Sequence, residues 1–274
     1  MKGRCPMDDF RKRTLGRTGL KVGRLGVAAS YGAPAQAFEE AFEKGCNYFY
    51  MGSGRHRGNM HQAIRNIIKK GQRDKLVIAI QTYARNGMLM EPFFKRTLKK
   101  LGIDYADVMI LGWHNKQPWP KLVDRAVSMK ERGLFRFFGM SGHNRKLFPE
   151  LNATNVFDVF QIRYNAAHRG AEKETFPYLN EKNQPGIISY TATRWGHLLN
   201  DKKMPEGEKA PSSSDCYRFA MTNGSVDVCL CGPKTVSEMR DALPALDLGP
   251  LNGDEMARMK KIGDHVHRTA KGFF

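Results

Sequence analysis

Residues 226–240, VDVCLCGPKTVSEMR, read as an apolar strand that runs through Gly232 into the start of a helix. A strand, a glycine turn and a helix N-terminus bring backbone N–H groups and the positive end of the helix dipole to one point, where an anion is stabilised. Lys234, Thr235 and Arg240 add cations and a hydroxyl around that point, so a phosphate suits the corner. A buried strand followed by a basic surface helix is the other reading of these residues alone.

The same strand-to-helix alternation runs back through the chain. Residues 14–26, TLGRTGLKVGRLG, are short apolar segments punctuated by glycines and predict a hairpin. Strands are expected at 24–30, 48–53, 75–82, 107–113, 135–141, 157–164, 186–193 and 226–232. Helical periodicity falls at 34–44, 59–70, 91–101, 120–132, 144–151, 172–181 and 253–267, and residues 201–215 read as an exposed loop. Strands that are continuous apolar runs imply a parallel sheet covered on both faces. The expected fold is therefore α/β: a (β/α)8 TIM barrel with an N-terminal hairpin, filling residues 1–274 as a single domain, with its chemistry at the C-terminal strand ends. A doubly wound sheet is the runner-up, but no GxGxxG follows the first strand.

Composition narrows the function. The chain has 274 residues, of which 41% are hydrophobic, and a formal net charge of +18. Such a charge favours anionic partners. The basic residues lie in short clusters broken by apolar ones, without an RNA-binding signature or a basic region followed by heptads, which argues against nucleic acid. No apolar run is long enough to span a bilayer and the first 13 residues lack an apolar core, so the expectation is a cytoplasmic protein without membrane contact. Five cysteines without a CxxC pair encode neither a disulfide framework nor a zinc ribbon, and Cys229 and Cys231 read as buried apolar residues. The histidines lack metal-ligand spacing. A monomer and a homo-oligomer are equally open.

Four stretches in order, RTLGRTGLKVGRLGV (13–27), GCNYFYMGSGR (45–55), YADVMILGWHN (105–115) and GIISYTATRWGHLL (186–199), together with the corner at 226–240, resemble the aldo-keto reductase family over nearly the whole chain. The resemblance implies an NADPH- or NADH-dependent carbonyl reductase acting on a small molecule. It also implies a tyrosine acid, tuned by a lysine and an aspartate, and a histidine that orients the carbonyl. Those positions fall here on Arg55, Tyr83, Tyr50 and Gly112, so the family's four residues are absent. A guanidinium keeps its proton and cannot serve as the acid. Tyr83 or Tyr50 could donate instead, with Arg55 supplying charge, and the site would suit an anionic substrate. His114, two residues beyond Gly112, would face the same way if the strand continued. Aromatic and glycine filler at the barrel mouth is the competing reading.

The cofactor positions match better. The resemblance places Ser141 and Gln161 at the nicotinamide carboxamide, with Gly142 in place of an asparagine. It places Tyr190 against the nicotinamide ring and Thr191 near the pyrophosphate, and it assigns Lys234, Thr235 and Arg240 to the 2′-phosphate of NADP(H). Another register of the last helix puts Glu238 at the adenosine and Ala242 where an asparagine is usual. Trp113, Trp119, Trp195 and His143 are candidates for the pocket wall, and residues 52–57, a basic glycine loop, for an anion contact. A catalytically silent nucleotide- or anion-binding or regulatory relative is the alternative to an enzyme.

Overall fold

The computed structural model describes residues 10–52, 56–179 and 183–269. The hairpin pairs β1 (Lys12–Thr14) with β2 (Lys21–Gly23) in antiparallel register. Eight parallel strands follow: β3 (Leu25–Ala28), β4 (Tyr48–Met51), β5 (Val77–Thr82), β6 (Ala106–Leu111), β7 (Phe135–Gly142), β8 (Val159–Arg163), β9 (Gly186–Tyr190) and β10 (Val228–Cys231). They close in chain order, with β10 against β3, which makes the sheet a barrel and rules out the doubly wound arrangement. Helices α1 (Ala35–Glu43), α2 (Arg57–Lys69), α3 (Gly87–Leu101), α4 (Pro120–Glu131) and α5 (Leu147–Ala153) follow β3 to β7 in turn. Helices α6 (Ala171–Glu174), α7 (Ser213–Thr222), α8 (Val236–Ala242) and α9 (Gly253–Thr269) complete the shell.

Strand alternation divides the core in two. Tyr48, Ala79, Val108, Ile110, Val159 and Ile188 fill the barrel interior, while Phe49, Ile78, Met109, Phe138, Phe160 and Ile187 point outward to the helices. Cys229 and Cys231 are buried free thiols, and burial pushes the Cys229 thiol up to about 12, as suits small apolar fillers. Among the described residues no group of three potential ligands could hold a metal, and no helix is long and apolar enough to cross a membrane.

A repeated device braces the end of the barrel away from the mouth. Asp107, Asp158 and Asp227 each accept the backbone N–H of a residue on the preceding strand, Ile78, Phe138 and Ile187, at 2.9, 2.8 and 3.0 Å. Each also meets a cation: Asp107 meets Arg73 and Arg136, Asp158 meets Lys130, and Asp227 meets Arg13.

The elements depart from the sequence expectations in three places. β6 ends at Leu111 and β9 at Tyr190, because Trp113 and Thr191 both turn to φ 59° and carry the chain over the barrel mouth. The helix expected at 172–181 shrinks to α6 and a 3-10 turn, Phe176–Tyr178: Thr175 leaves helical geometry at φ −133°, and Pro177 disfavours helix at the residue before it. Residues 180–182 lie outside the described part. Third, α7 begins inside the expected loop 201–215, started by a capping box in which Ser212 and Asp215 exchange hydrogen bonds at 3.1 Å.

Candidate functional site

The C-terminal strand ends open into a cavity of about 1060 Å³. It runs from Tyr31, Gly232 and Lys234 at the β3–β10 side to Trp113, Ser141 and Gln161 across the mouth. Gly232 permits the close approach at one end, since a Cβ there would stand 2.3 Å from the Tyr31 ring.

The floor is polar and neutral. Inward positions on β4, β5, β7 and β8 supply Tyr50, Gln81, Ser141 and Gln161, all buried and all on the cavity wall. The Tyr50 hydroxyl donates to Gln81 Oε1 at 2.7 Å, and the Ser141 hydroxyl reaches the same oxygen at 3.4 Å. Ser141 Oγ in turn accepts the Trp113 backbone N–H at 3.1 Å. Burial first, then the neighbouring Tyr83, raises the Tyr50 pKa far above the usual phenol value, and the Gln161 amide pulls weakly the other way. Gln161 is 4% exposed, and its Oε1 has no hydrogen-bond partner among the described residues. A buried acceptor left open in this way is costly unless something arrives to fill it.

Tyr83, just past the end of β5, is 40% exposed and lines the cavity beside this floor. Arg55, with Ser53 and Gly54, lies outside the described residues. His114 does not stand where a continued strand would put it. The turn at Trp113 carries it off the cavity wall, where its Nε2 lies 3.0 Å from Arg85 Nη1, and the Trp113 ring takes the wall position instead. Burial, then the Arg85 charge, lowers the His114 pKa to about 4, so the ring is neutral at physiological pH. It accepts from the guanidinium and braces the rim.

On the far side, Tyr190 lines the wall with its hydroxyl 3.2 Å from His143 Nδ1 and 3.3 Å from the Gly142 carbonyl. Burial is the main cause of its raised pKa, which the nearby Arg163 partly offsets. Thr191 follows it on the wall, its loop tied by Asn165 Nδ2 donating to the Thr191 carbonyl at 2.8 Å. Trp195 and His143 also line the cavity, whereas Trp119 is 78% exposed at the start of α4 and off the wall.

The β10–α8 corner is already partly neutralised by the chain's own carboxylates. Thr235 caps α8, accepting the Glu238 N–H at 3.1 Å, while Glu238 Oε2 accepts the Lys234 N–H at 2.8 Å. Arg240 gives two hydrogen bonds to Glu40 on α1, at 2.9 and 2.8 Å. Lys234, Glu238 and Arg240 line the cavity, and Thr235 lies off its wall.

Sequence reading missed Gln81 and Glu40. Gln81 carried a usable signal, since it falls inside the expected strand 75–82, two residues before Tyr83. The Glu40–Arg240 pair carried none, because its members are 200 residues apart.

A closed parallel barrel with a deep cavity over its C-terminal strand ends is the architecture of a barrel that works on a ligand at that face. The chain belongs to the aldo-keto reductase family, whose profile matches residues 25–215. It is 22% identical over 231 residues to an NADH-specific methylglyoxal reductase of Escherichia coli strain K12, covering 68% of this chain and 71% of that protein. In fold it is similar to an aldo-keto reductase from Bacillus halodurans in its holo form, with TM-score 0.77, 18% identity and coverage of 92% and 96% of the two chains. It is also similar to an aldo/keto reductase from Klebsiella pneumoniae solved in complex with NADP and acetate, with TM-score 0.75, 16% identity and coverage of 91% and 94%.

Proposed function

We propose that this chain is an NADP(H)-binding oxidoreductase of the aldo-keto reductase type with a non-standard catalytic site, acting in the cytoplasm on a small carbonyl compound. The observation that carries this reading is the cavity wall on which Ser141, Gln161 and Tyr190 stand together, with the Gln161 Oε1 unpartnered among the described residues. A hydroxyl and an amide so placed fit a carboxamide, and the aromatic face of Tyr190 fits the ring that carries it. Thr191 and its loop would take the pyrophosphate, and Lys234 and Arg240 the 2′-phosphate, with Thr235 fixing the start of α8. When bound, the nicotinamide supplies the hydride.

The chain's own residues then orient the acceptor and provide its proton. Tyr83 is the candidate donor, since it lines the cavity beside Tyr50 and is 40% exposed. Arg55, five residues beyond Tyr50 in the sequence, would supply positive charge, which with the charge of +18 favours an anionic substrate.

A second reading, a catalytically silent relative that holds a nucleotide or another anion, is favoured by one observation. The Tyr50 hydroxyl is committed to Gln81, and its pKa is raised rather than lowered, which is the opposite of an activated acid. Calorimetric titration with NADPH and NADH at two salt concentrations, alongside Arg240→Ala, tests the first reading. Micromolar NADPH binding weakened by Arg240→Ala supports it, and no binding of either nucleotide overturns it.

A further inference from the structure

Gly112 and Gln81 fit together at the barrel mouth. A Cβ built on Gly112 would lie 2.5 Å from Gln81 Nε2 and 2.8 Å from its Cδ, so any larger residue at 112 would expel the amide from its place. Gly112 is tied to the neighbouring strand, its N–H bonded to the Thr82 carbonyl at 2.8 Å. The position that the family resemblance assigns to a carbonyl-orienting histidine is thus emptied of side chain, and an amide from the neighbouring strand fills the space.

The orientation of that amide follows from its contacts. Gln81 Oε1 receives the Tyr50 hydroxyl and is approached by Ser141, which fixes the oxygen downward and leaves the NH2 end facing the other way. Nε2 makes no hydrogen bond among the described residues, and Gln81 lines the cavity. A donor held at one end and open at the other is organised to receive an acceptor without further rearrangement.

We propose that Gln81 Nε2 is the carbonyl-orienting donor of this protein, taking the oxygen of an aldehyde or ketone group in the cavity that Gln81 lines. The proposal rests on the reading of the cavity as a carbonyl site. Tyr50 is then a positioning residue that acts through Gln81, polarising the amide as one link in a short chain of hydrogen bonds. Two neutral features favour a carbonyl over a carboxylate at this point: the donor is an amide, and the side chains under it are a phenol, a hydroxyl and a second amide.

The test uses 4-(dimethylamino)cinnamaldehyde, a chromophore whose absorption moves to the red when its carbonyl oxygen accepts a hydrogen bond. The wild-type protein, without reduced cofactor, is expected to bind it with a red shift. Gln81→Glu keeps an acceptor for Tyr50 but removes the donor, and is expected to lose most of the shift. Gly112→Ala, which displaces Nε2 without altering its chemistry, is expected to do the same and stands in if Gln81→Glu does not fold. A wild-type protein that leaves the probe unshifted or unbound, or a variant that shifts it as the wild type does, overturns the proposal. NADPH is titrated into the same preparations. Loss of NADPH binding with the shift intact would sink the cofactor reading alone, and NADPH binding without a shift would sink the donor alone.

Discussion

Glu40 on α1 grips the Arg240 guanidinium on α8 through two hydrogen bonds, at 2.9 and 2.8 Å, and so occupies the cation that the sequence offers to a phosphate. Arg240 holds the Glu40 carboxyl below its usual pKa, so the pair is charged across the neutral range. A phosphate arriving at this corner would have to share or displace that carboxylate. Glu40→Gln is therefore expected to tighten NADPH binding about twofold to fivefold, the range of an exposed ion pair, while leaving NADH nearly unchanged. Calorimetry with both nucleotides reads the difference, and equal effects on the two would show that Arg240 does not touch the 2′-phosphate.

Gln161 provides a test at the other end of the cofactor. Gln161→Leu keeps the volume and removes the unfilled acceptor, so it should relieve an unsatisfied buried oxygen and make the free protein no less stable. NADPH affinity should fall about tenfold, as for one hydrogen bond of ~1.4 kcal/mol. A thermal melt and a titration on the same sample separate the two effects. An unchanged affinity would place the carboxamide elsewhere.

The barrel was legible in sequence because its strands are short apolar runs at regular spacing, and the two cores confirm that both faces are covered. The ends of strands were less legible. Residues 107–113 look equally apolar to the end, yet Trp113 adopts φ 59°, a backbone state that the side chain does not announce and that its bonds to Ser141 and Arg85 hold in place. That turn decides whether His114 or Trp113 faces the cavity. Tyr50, Ser141, Gln161 and Tyr190, which the resemblance singled out, all stand on the cavity wall. The Gln81–Gly112 fit was not legible, because a glycine in sequence gives no sign of which neighbouring side chain needs its space.

Asp107 makes a stability prediction that should leave the site untouched. It is 1% exposed and accepts from Ile78 N–H, Arg73 and Arg136 at the barrel end away from the mouth. Asp107→Ala strips a buried acceptor from two arginines and a backbone donor, and should cost about 3–5 kcal/mol. Urea denaturation would read the loss. NADPH affinity of the folded fraction should match wild type, and a change in affinity would contradict the separation of the two barrel ends.

Histidine titration sets an acid limit. Burial, then arginine charges, lowers His168 to about 3, and burial with Arg85 lowers His114 to about 4. In the unfolded chain both return to about 6.5. Between these values the unfolded state binds more protons than the folded one, so stability rises with pH there. The contribution is complete above about pH 6.5 and is lost as pH falls toward about 4, at a slope of at most about 1.4 kcal/mol per pH unit for each ring. Melting temperatures from pH 7 to pH 4 should fall for the wild type and fall less for His168→Asn. An identical slope in the two proteins would mean that the ring takes up its proton as readily in the fold as in the unfolded chain.

The proton donor is the step on which an enzyme and a silent relative part. Tyr50 spends its hydroxyl proton on Gln81 and is buried, so it can deliver that proton to a ligand only by breaking the floor of the site. Tyr83 stands higher, 40% exposed on the same wall, and can exchange protons with solvent between turnovers. With a reducible carbonyl such as 4-nitrobenzaldehyde and saturating NADPH, Tyr83→Phe is expected to lower kcat about 100-fold, the scale of a lost general acid, with KM changed little. Tyr50→Phe should instead raise KM, since it loosens Gln81 without removing the donor. If both variants turn over like the wild type, the proton comes from water or from a group that neither substitution removes. If the wild type binds NADPH and turns over no carbonyl at all, the committed hydroxyl of Tyr50 marks a site that kept the cofactor and gave up the reaction.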